Sequence, residues 1–462
     1  MDLLVDLAQA SGRSLRARLE NALRDAVAGG RLATGARLPS TRALAAQLGV
    51  SRGVVVDAYA QLVAEGYLTA RAGAGTSVAA AGNPTDEDAA TLPVADAAPS
   101  PPAIRHDLSP FVPALAAFPR KAWGSAMSRA LRHATDEQLA LPDGAGAAEL
   151  RVALAAYLAR VRGVRASADQ VLVCNGLRQG LGLLWSALAA GGAERIAVED
   201  PGWNGVPQTA TDAGLAIVPI AVDAEGMSVE QLASHRPRVD AVAVAPAHQF
   251  PTGAVLSPAR RAALVSWAND NDALVVEDDY DAEYRYDREP VGSLQGLAPD
   301  RVVYGGSASK SLAPSVRLGW LVVPPHLVAP MRALQRRRGS MPATLQQLAL
   351  AQLIESGGLD RHLRRQRRAY RRQRDALLAA LSDRLPEVTV DGAAAGLFVT
   401  LRLPAGTDER RVVANARAAG VVVQGLHGHG LGLVVGYANL APAAIDTAVA
   451  ALARSVQEAV TR

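Results

Sequence analysis

The sequence predicts two domains of different class: a small winged helix-turn-helix unit, followed by an α/β domain built on a mixed, mostly parallel sheet. Three observations carry this. Residues 1–80 are rich in helical patterning and end in two short strand-like segments around a glycine-rich tip. Residues 79–105 lose apolar periodicity and hold Pro84, Pro93, Pro99, Pro101 and Pro102, the composition of a flexible, partly extended connection. Beyond them, short Val/Ile/Leu/Ala runs at 195–199, 241–245, 273–277 and 301–304 alternate with helical segments, as strands joined by crossover helices do. The expected boundaries are therefore 1–80, a Pro/Ala/acidic linker over 81–105, and 106–462.

Composition bounds the function classes. Hydrophobic residues make up 49% and charged residues 20% of 462, enough for a sizeable core. The N-terminus carries Asp2 and Asp6 in place of a basic region, and the uncharged stretches near 179–193 and 421–445 are short or interrupted. Neither a secretory signal nor a membrane span is expected. The single cysteine, Cys174, excludes an intrachain disulfide and fits a cytosolic location; at the end of an apolar strand it reads as a small hydrophobe. A net charge of +4 permits a nucleic-acid partner without requiring one.

From Arg37 the chain reads RLPSTRALAAQLGVSRGVVVDAYAQLVAEGYLTARAGAGTSV. The spacing predicts a helix over 41–48, a turn at Gly49-Val50, and a second helix capped by Ser51 and running to about residue 65. Leu44, Leu48, Val55, Ala58, Tyr59 and Leu62 fall on inward faces. Ser40, Thr41, Arg42, Ser51, Arg52 and Gly53 stand at the helix starts, the positions that would meet DNA. Tyr67-Leu68 and residues 76–78 predict two strands around a tip with Gly73 and Gly75, from which Arg71 could reach a groove or phosphate. The stretch resembles the winged-helix domain of GntR-type bacterial regulators, matching at Leu38, Pro39, Ser40, Arg42, Leu44, Ala45, Val50, Ser51, Arg52, Ala58, Tyr59, Leu62, Glu65, Gly66, Tyr67, Gly73, Gly75 and Thr76. It departs at Val54-Val55, where many relatives carry a Thr.

In the large domain, lysine usage is the sharpest signal: only Lys121 and Lys310 occur, against 46 arginines. Arginine stays protonated, whereas a lysine amine can lose its proton and attack a carbonyl. Lys121 lies in a plain turn into a helix and reads as a surface residue. Lys310 lies in Ser307-Ala308-Ser309-Lys310 with Arg317 beyond it, where hydroxyls and a guanidinium can hold a phosphate while the amine forms an imine. Asn175-Gly176-Leu177-Arg178, between a strand and an apolar helix, offers free amides to an anion. Glu277-Asp278-Asp279-Tyr280-Asp281 ends another strand; its carboxylates suit a pyridine nitrogen or, alternatively, magnesium. Pro246-Ala247-His248-Gln249-Phe250-Pro251-Thr252-Gly253 closes a further strand, with His248 either a cofactor contact or a satisfied core histidine.

Residues 106–462 resemble the fold-type I aminotransferases, and the tandem order with the winged helix resembles the MocR/GabR regulators. The resemblance implies pyridoxal 5'-phosphate joined to Lys310 as a Schiff base, Asp278 against the pyridine nitrogen, and Tyr280 near the ring oxygen. It also implies phosphate held by Gly176, Leu177, Ser307, Ser309 and Arg317, with Arg178, Trp203 and His248 beside them, and a homodimer with exchanged domains on operator DNA.

The departures bear on catalysis. The C-terminal strand where catalytic relatives place a carboxylate-clamping arginine reads Leu433-Val434-Val435-Gly436-Tyr437, and valine cannot replace a bidentate clamp. Leu141 and Phe250 stand where a tyrosine and an asparagine are usual, Trp203 where a tyrosine is usual, and Pro207 where some regulators have arginine. These favour a sensor of the cofactor, most like the PdxR subgroup, over a regulator sensing an amino compound or a working aminotransferase with a DNA module, for which Arg178, His427, His429 or another side chain would have to replace the missing clamp. His427 and His429 make a poor zinc pair. The run RHLRRQRRAYRRQRD, helix-compatible and rich in arginine, offers either a second DNA-binding face or a long solvated helix packed through Leu363, Tyr370 and Leu377, and the latter is the expected reading.

Overall fold

The computed structural model describes residues 7, 10–71, 75–79, 103–140, 143–286, 292–426 and 432–460. The expected linker lies almost wholly outside them. The chain divides into two compact units, 1–101 and 102–462.

In the first unit, α1 (Leu15–Ala28), α2 (Thr41–Leu48) and α3 (Arg52–Ala64) precede an antiparallel pair, β1 (Leu68–Arg71) and β2 (Gly75–Val78). Gly49 ends α2 at φ +66°, a left-handed turn that glycine takes without a Cβ clash. Ser40 and Ser51 cap α2 and α3, accepting from Ala43 N and Val54 N. Leu44, Val55, Ala58, Tyr59 and Leu62 join Leu19 and Leu23 of α1 in the core, with Leu48 at its margin. Tyr59 Oη donates to the Pro39 carbonyl at 3.0 Å, fixing α3 against the entry to α2. The first strand begins one residue later than expected: Tyr67 stays outside it, under the Arg24 guanidinium.

The second unit is built on an eight-stranded sheet. In chain order its strands follow a short β3 (His106–Asp107): β4 (Val171–Cys174), β5 (Arg195–Asp200), β6 (Ala216–Asp223), β7 (Gly226–Met227), β8 (Ala241–Val244), β9 (Leu274–Asp279), β10 (Val302–Ser307) and β11 (Gly319–Val322). Their spatial order is β4-β11-β10-β9-β8-β5-β6-β7. The strands β10, β9, β8, β5 and β6 run parallel, while β11 is antiparallel to both its neighbours, so β4 points the same way as the central strands. Buried on both faces, β4 and β8 read as unbroken apolar runs.

A separate four-stranded sheet comprises β12 (Thr389–Asp391), β13 (Phe398–Arg402), β16 (Gly432–Gly436) and β15 (Gln424–Gly425), while β14 (Val421–Val422) pairs with β3. The helix Gly358–Arg384, 27 residues long, packs against the helix Pro442–Gln457 and buries Leu363, Tyr370 and Leu377 as its periodicity predicts. Among the described residues no helix is long and apolar enough to cross a membrane.

Candidate functional site

Strands β4, β5, β8, β9 and β10 end at one edge of the large sheet, and their C-terminal ends deliver the walls of one cavity of about 270 Å³. This is where α/β sheets bind ligands, because the crossover connections diverge there.

At the end of β4, Gly176 adopts φ +86° and the helix Leu177–Ala190 starts with no side-chain cap, so its first amides are open to an anion. Arg317, itself left-handed at φ +53°, donates from Nη2 to the Asn175 carbonyl at 2.7 Å. It lies against Gly176, whose hypothetical Cβ would come 3.5 Å from its Nη1. From the end of β10, Ser307 Oγ donates to Ser309 Oγ at 2.9 Å. Amides, hydroxyls and a guanidinium thus form an anion cradle on the cavity wall.

Lys310 follows directly. Its Nζ donates to the Phe111 carbonyl at 2.9 Å and lies 4.7 Å from the centre of that ring. Burial pulls the amine down to about 8, with Asp281 and Asp278 opposing. A usable fraction is then neutral and nucleophilic near physiological pH.

Alternation along β9 sorts the acids that the sequence presents as one cluster. Glu277 is buried and accepts from the amides of Leu294 (3.0 Å) and Gln295 (3.1 Å). Asp279 accepts from Arg162 Nε at 2.6 Å and Tyr304 Oη at 2.7 Å. Asp281 pairs with His248 Nδ1 at 2.9 Å. Asp278 alone of the four lines the cavity, and its Oδ1 is buried without a partner. Burial, then Asp279 and Asp281, push it up to about 7, with Lys310 opposing. A buried carboxylate oxygen without a donor calls for one. With a lysine amine and an anion cradle on the same cavity, the residues fit the pyridine nitrogen, aldehyde and phosphate of pyridoxal 5'-phosphate.

Gly176, Leu177, Arg178, Trp203, Asp278, Tyr280, Ser307, Ser309, Lys310 and Arg317 all line this cavity. His248 does not: it is 1% exposed, held by Asp281, and its carbonyl accepts from Tyr280 Oη at 2.7 Å. It is packed in the core and positions Tyr280, but it is not the fully satisfied histidine of the second reading, because its Nε2 is buried without a partner among the described residues. Cys174 is buried, and burial pushes its thiol up to about 12, leaving it inert at physiological pH.

Sequence reading missed Phe111 and Glu199. Phe111 lies 199 positions before Lys310, and nothing local marks it. Glu199 lines the cavity, accepts from Ala245 N at 3.3 Å, and is pushed by burial up to about 8, so it is protonated at neutral pH. Its position beside Asp200-Pro201-Gly202 at a strand end was the available signal. Phe250, at the usual asparagine position, stacks 4.5 Å from Phe111, with Phe398 5.4 Å beyond.

In the winged unit, Thr41 and Arg42 open α2 and Arg52 and Gly53 open α3. Ser40, Arg42, Ser51, Arg52, Gly53 and Arg71 are exposed and Thr41 half-buried. The two serines spend an oxygen lone pair on capping but keep their hydroxyl protons for a phosphate. Gly73, Leu141, His427 and His429 lie outside the described residues.

Known proteins match the same two units. Residues 114–452 match the family "Aminotransferase class I and II" and residues 15–78 match "Bacterial regulatory proteins, gntR family". "Probable rhizopine catabolism regulatory protein MocR" of Rhizobium meliloti is 32% identical over 447 residues, covering 92% of this chain and 90% of its own. The chain belongs to the MocR-type transcriptional regulators. Within this group, "HTH-type pyridoxine biosynthesis transcriptional regulator PdxR" of Corynebacterium glutamicum is 35% identical over 406 residues, covering 87% and 86%. "HTH-type transcriptional regulator TauR" of Rhodobacter capsulatus is 33% identical over 487 residues, covering 98% of each. The MocR-type large unit is similar to solved aminotransferases. A Pyrococcus horikoshii kynurenine aminotransferase has TM-score 0.70 and 25% identity, over 77% of this chain and 91% of that one; a multiple substrate aminotransferase from Thermococcus profundus has 0.69 and 27%, over 76% and 91%. The MocR-type architecture thus joins a GntR DNA-binding unit to a domain that binds pyridoxal 5'-phosphate.

Proposed function

We propose that this MocR-type regulator senses pyridoxal 5'-phosphate itself and controls genes of vitamin B6 synthesis, acting in the cytosol as a homodimer with exchanged domains on operator DNA. The observation that carries the reading is the aromatic cover over the lysine. Lys310 Nζ is held against Phe111, which packs on Phe250 and Phe398. In β16, Val434 packs in the same apolar cluster as Phe250 and Phe398. Burying an amino-acid carboxylate against that cluster, which brings no cation of its own, is costly, and the Arg178 guanidinium on the cavity wall is engaged with Gln208 at 2.7 Å, whereas the cofactor's own groups are all provided for. The relative with pyridoxine biosynthesis in its name supports the same direction.

When bound, the cofactor supplies an aldehyde for a primary amine and an electron-withdrawing ring. Lys310 provides that amine, Asp278 holds a proton at the ring nitrogen, and Tyr280 presents its oxygen to the ring. Gly176, Leu177, Ser307, Ser309 and Arg317 hold the phosphate, and the aromatic cover excludes water. Two global states that differ in cofactor affinity then differ in operator affinity, by linkage.

A second reading makes an amino compound bound with the cofactor the signal; the relative named for rhizopine catabolism keeps it in play, because that name points to a process other than pyridoxine biosynthesis. One experiment separates them. The visible spectrum is followed as pyridoxal 5'-phosphate and then a panel of amino acids and amines are added, with Lys310→Ala as control, alongside binding to duplexes from upstream of vitamin B6 synthesis genes. The expected result is a Lys310-dependent band that the panel leaves unchanged and a cofactor-dependent change in duplex affinity. A panel member that converts the band to the pyridoxamine form makes the domain an enzyme; one that merely shifts it names an amine effector.

A further inference from the structure

Eight arginines fall between residues 360 and 375, and the structure divides them into two sets. Three fasten the helix Gly358–Arg384 to the domain: Arg367 Nε donates to the Glu283 carbonyl at 2.8 Å, Arg371 Nη2 to Tyr286 at 2.6 Å, and Arg374 Nη1 to Ala393 at 3.1 Å. The other five, Arg361, Arg364, Arg365, Arg368 and Arg372, are exposed and line one shallow groove. Among the described residues none of these five has a carboxylate within ion-pair distance. The neighbouring acids are engaged elsewhere, Asp360 with Arg160 at 2.8 Å and Asp375 with Arg374 at 2.6 Å. Among the described residues Arg365 reaches only His362 Nδ1, at 3.4 Å, and an imidazole supplies no negative charge.

We infer that this arginine row is a second nucleic-acid surface, one that contacts the phosphates of double-stranded DNA without reading sequence. It rests on the proposed DNA-binding function. Like charges three and four residues apart on a helix repel one another, and among the described residues these positions make no ion pair that would repay the repulsion. The row advances one turn at a time from Arg361 to Arg372, roughly 16 Å at 1.5 Å per residue. A single phosphate or nucleotide would engage one end of such a row. A duplex strand, with one phosphate about every 3.4 Å along its axis, matches its full length, and guanidinium is the side chain suited to phosphate oxygens.

The test uses the full chain and a duplex of arbitrary sequence several helical turns long, with affinity measured by fluorescence anisotropy across a salt series. Each phosphate contact contributes about 0.9 to the slope of log K against log salt. Replacing the five arginines with glutamine lowers that slope by about 4.5 while leaving the cofactor absorption band intact. Replacing them with lysine keeps most of it. Arg52→Ala in the winged unit weakens operator binding but leaves the row's share of the non-specific slope. Should the five-fold variant lose its cofactor band through misfolding, Arg364→Gln with Arg372→Gln replaces it, with an expected fall of about 1.8. A glutamine variant that keeps the band and the wild-type slope overturns the inference. If sedimentation then shows that variant weakened in self-association, the face belongs to a contact between copies. Failure of the wild type to bind any duplex instead removes the DNA-binding reading on which the inference stands.

Discussion

At the scale of single residues, Lys310 and Asp278 control each other. The amine is depressed chiefly by burial and raised by Asp281 and Asp278, so its neutral, reactive fraction grows as pH rises toward about 8. The initial rate of appearance of the Lys310-dependent band therefore climbs about tenfold per pH unit below that value and flattens above it. Asp278→Asn removes one of the charges that raise the amine, which moves the inflection to lower pH. With Asp278 in its proposed place at the ring nitrogen, the same change weakens the hydrogen bond that would hold that nitrogen protonated. Hydrogen bonds to charged groups are worth about 1.5–3 kcal/mol, so cofactor affinity falls on the order of tenfold to a hundredfold. Equilibrium titration of the visible band checks the second effect and stopped-flow pH profiles the first.

At the scale of elements, local chemistry was legible wherever it set local geometry. The helix starts at Thr41 and Arg52, the left-handed Gly49, and the strands near 195, 241, 274 and 302 follow the caps, glycine and apolar runs of the sequence. Ser51→Ala should therefore destabilise the winged unit by about 1 kcal/mol, through loss of the α3 cap, read as a lower melting temperature of that unit alone. Gly176→Ala should weaken cofactor binding while leaving the sheet intact. A Cβ at φ +86° is strained, and relieving that strain would shift the turn against which Arg317 lies, 3.5 Å away. What the sequence concealed was long-range. Phe111 reaches Lys310 from across the chain, and α1 gave no motif, though Leu19 and Leu23 complete the core under α3. The acid cluster was visible as composition, but assigning Asp278 alone to the cavity needed the partners that Arg162, Tyr304 and His248 supply to its neighbours.

At the scale of the molecule, two compact units that keep separate cores should unfold as two transitions. A ligand that binds only the native form of one unit stabilises it by about 2.7 kcal/mol at a hundredfold excess over its dissociation constant. Calorimetry with saturating pyridoxal 5'-phosphate should accordingly move the transition of the larger unit upward and leave the smaller one in place. The larger unit itself has a further division of labour. The cradle, Asp278 and Lys310 all hang from the ends of the eight-stranded sheet, whereas Phe398 and Val434, which back Phe250 and Phe111 in the aromatic cover, belong to the four-stranded sheet. Substitutions in that second sheet can change what enters the pocket while the anchorage of the vitamin stays untouched. One layer grips and the other roofs, so the response of the domain can be retuned in the roof without loosening the grip.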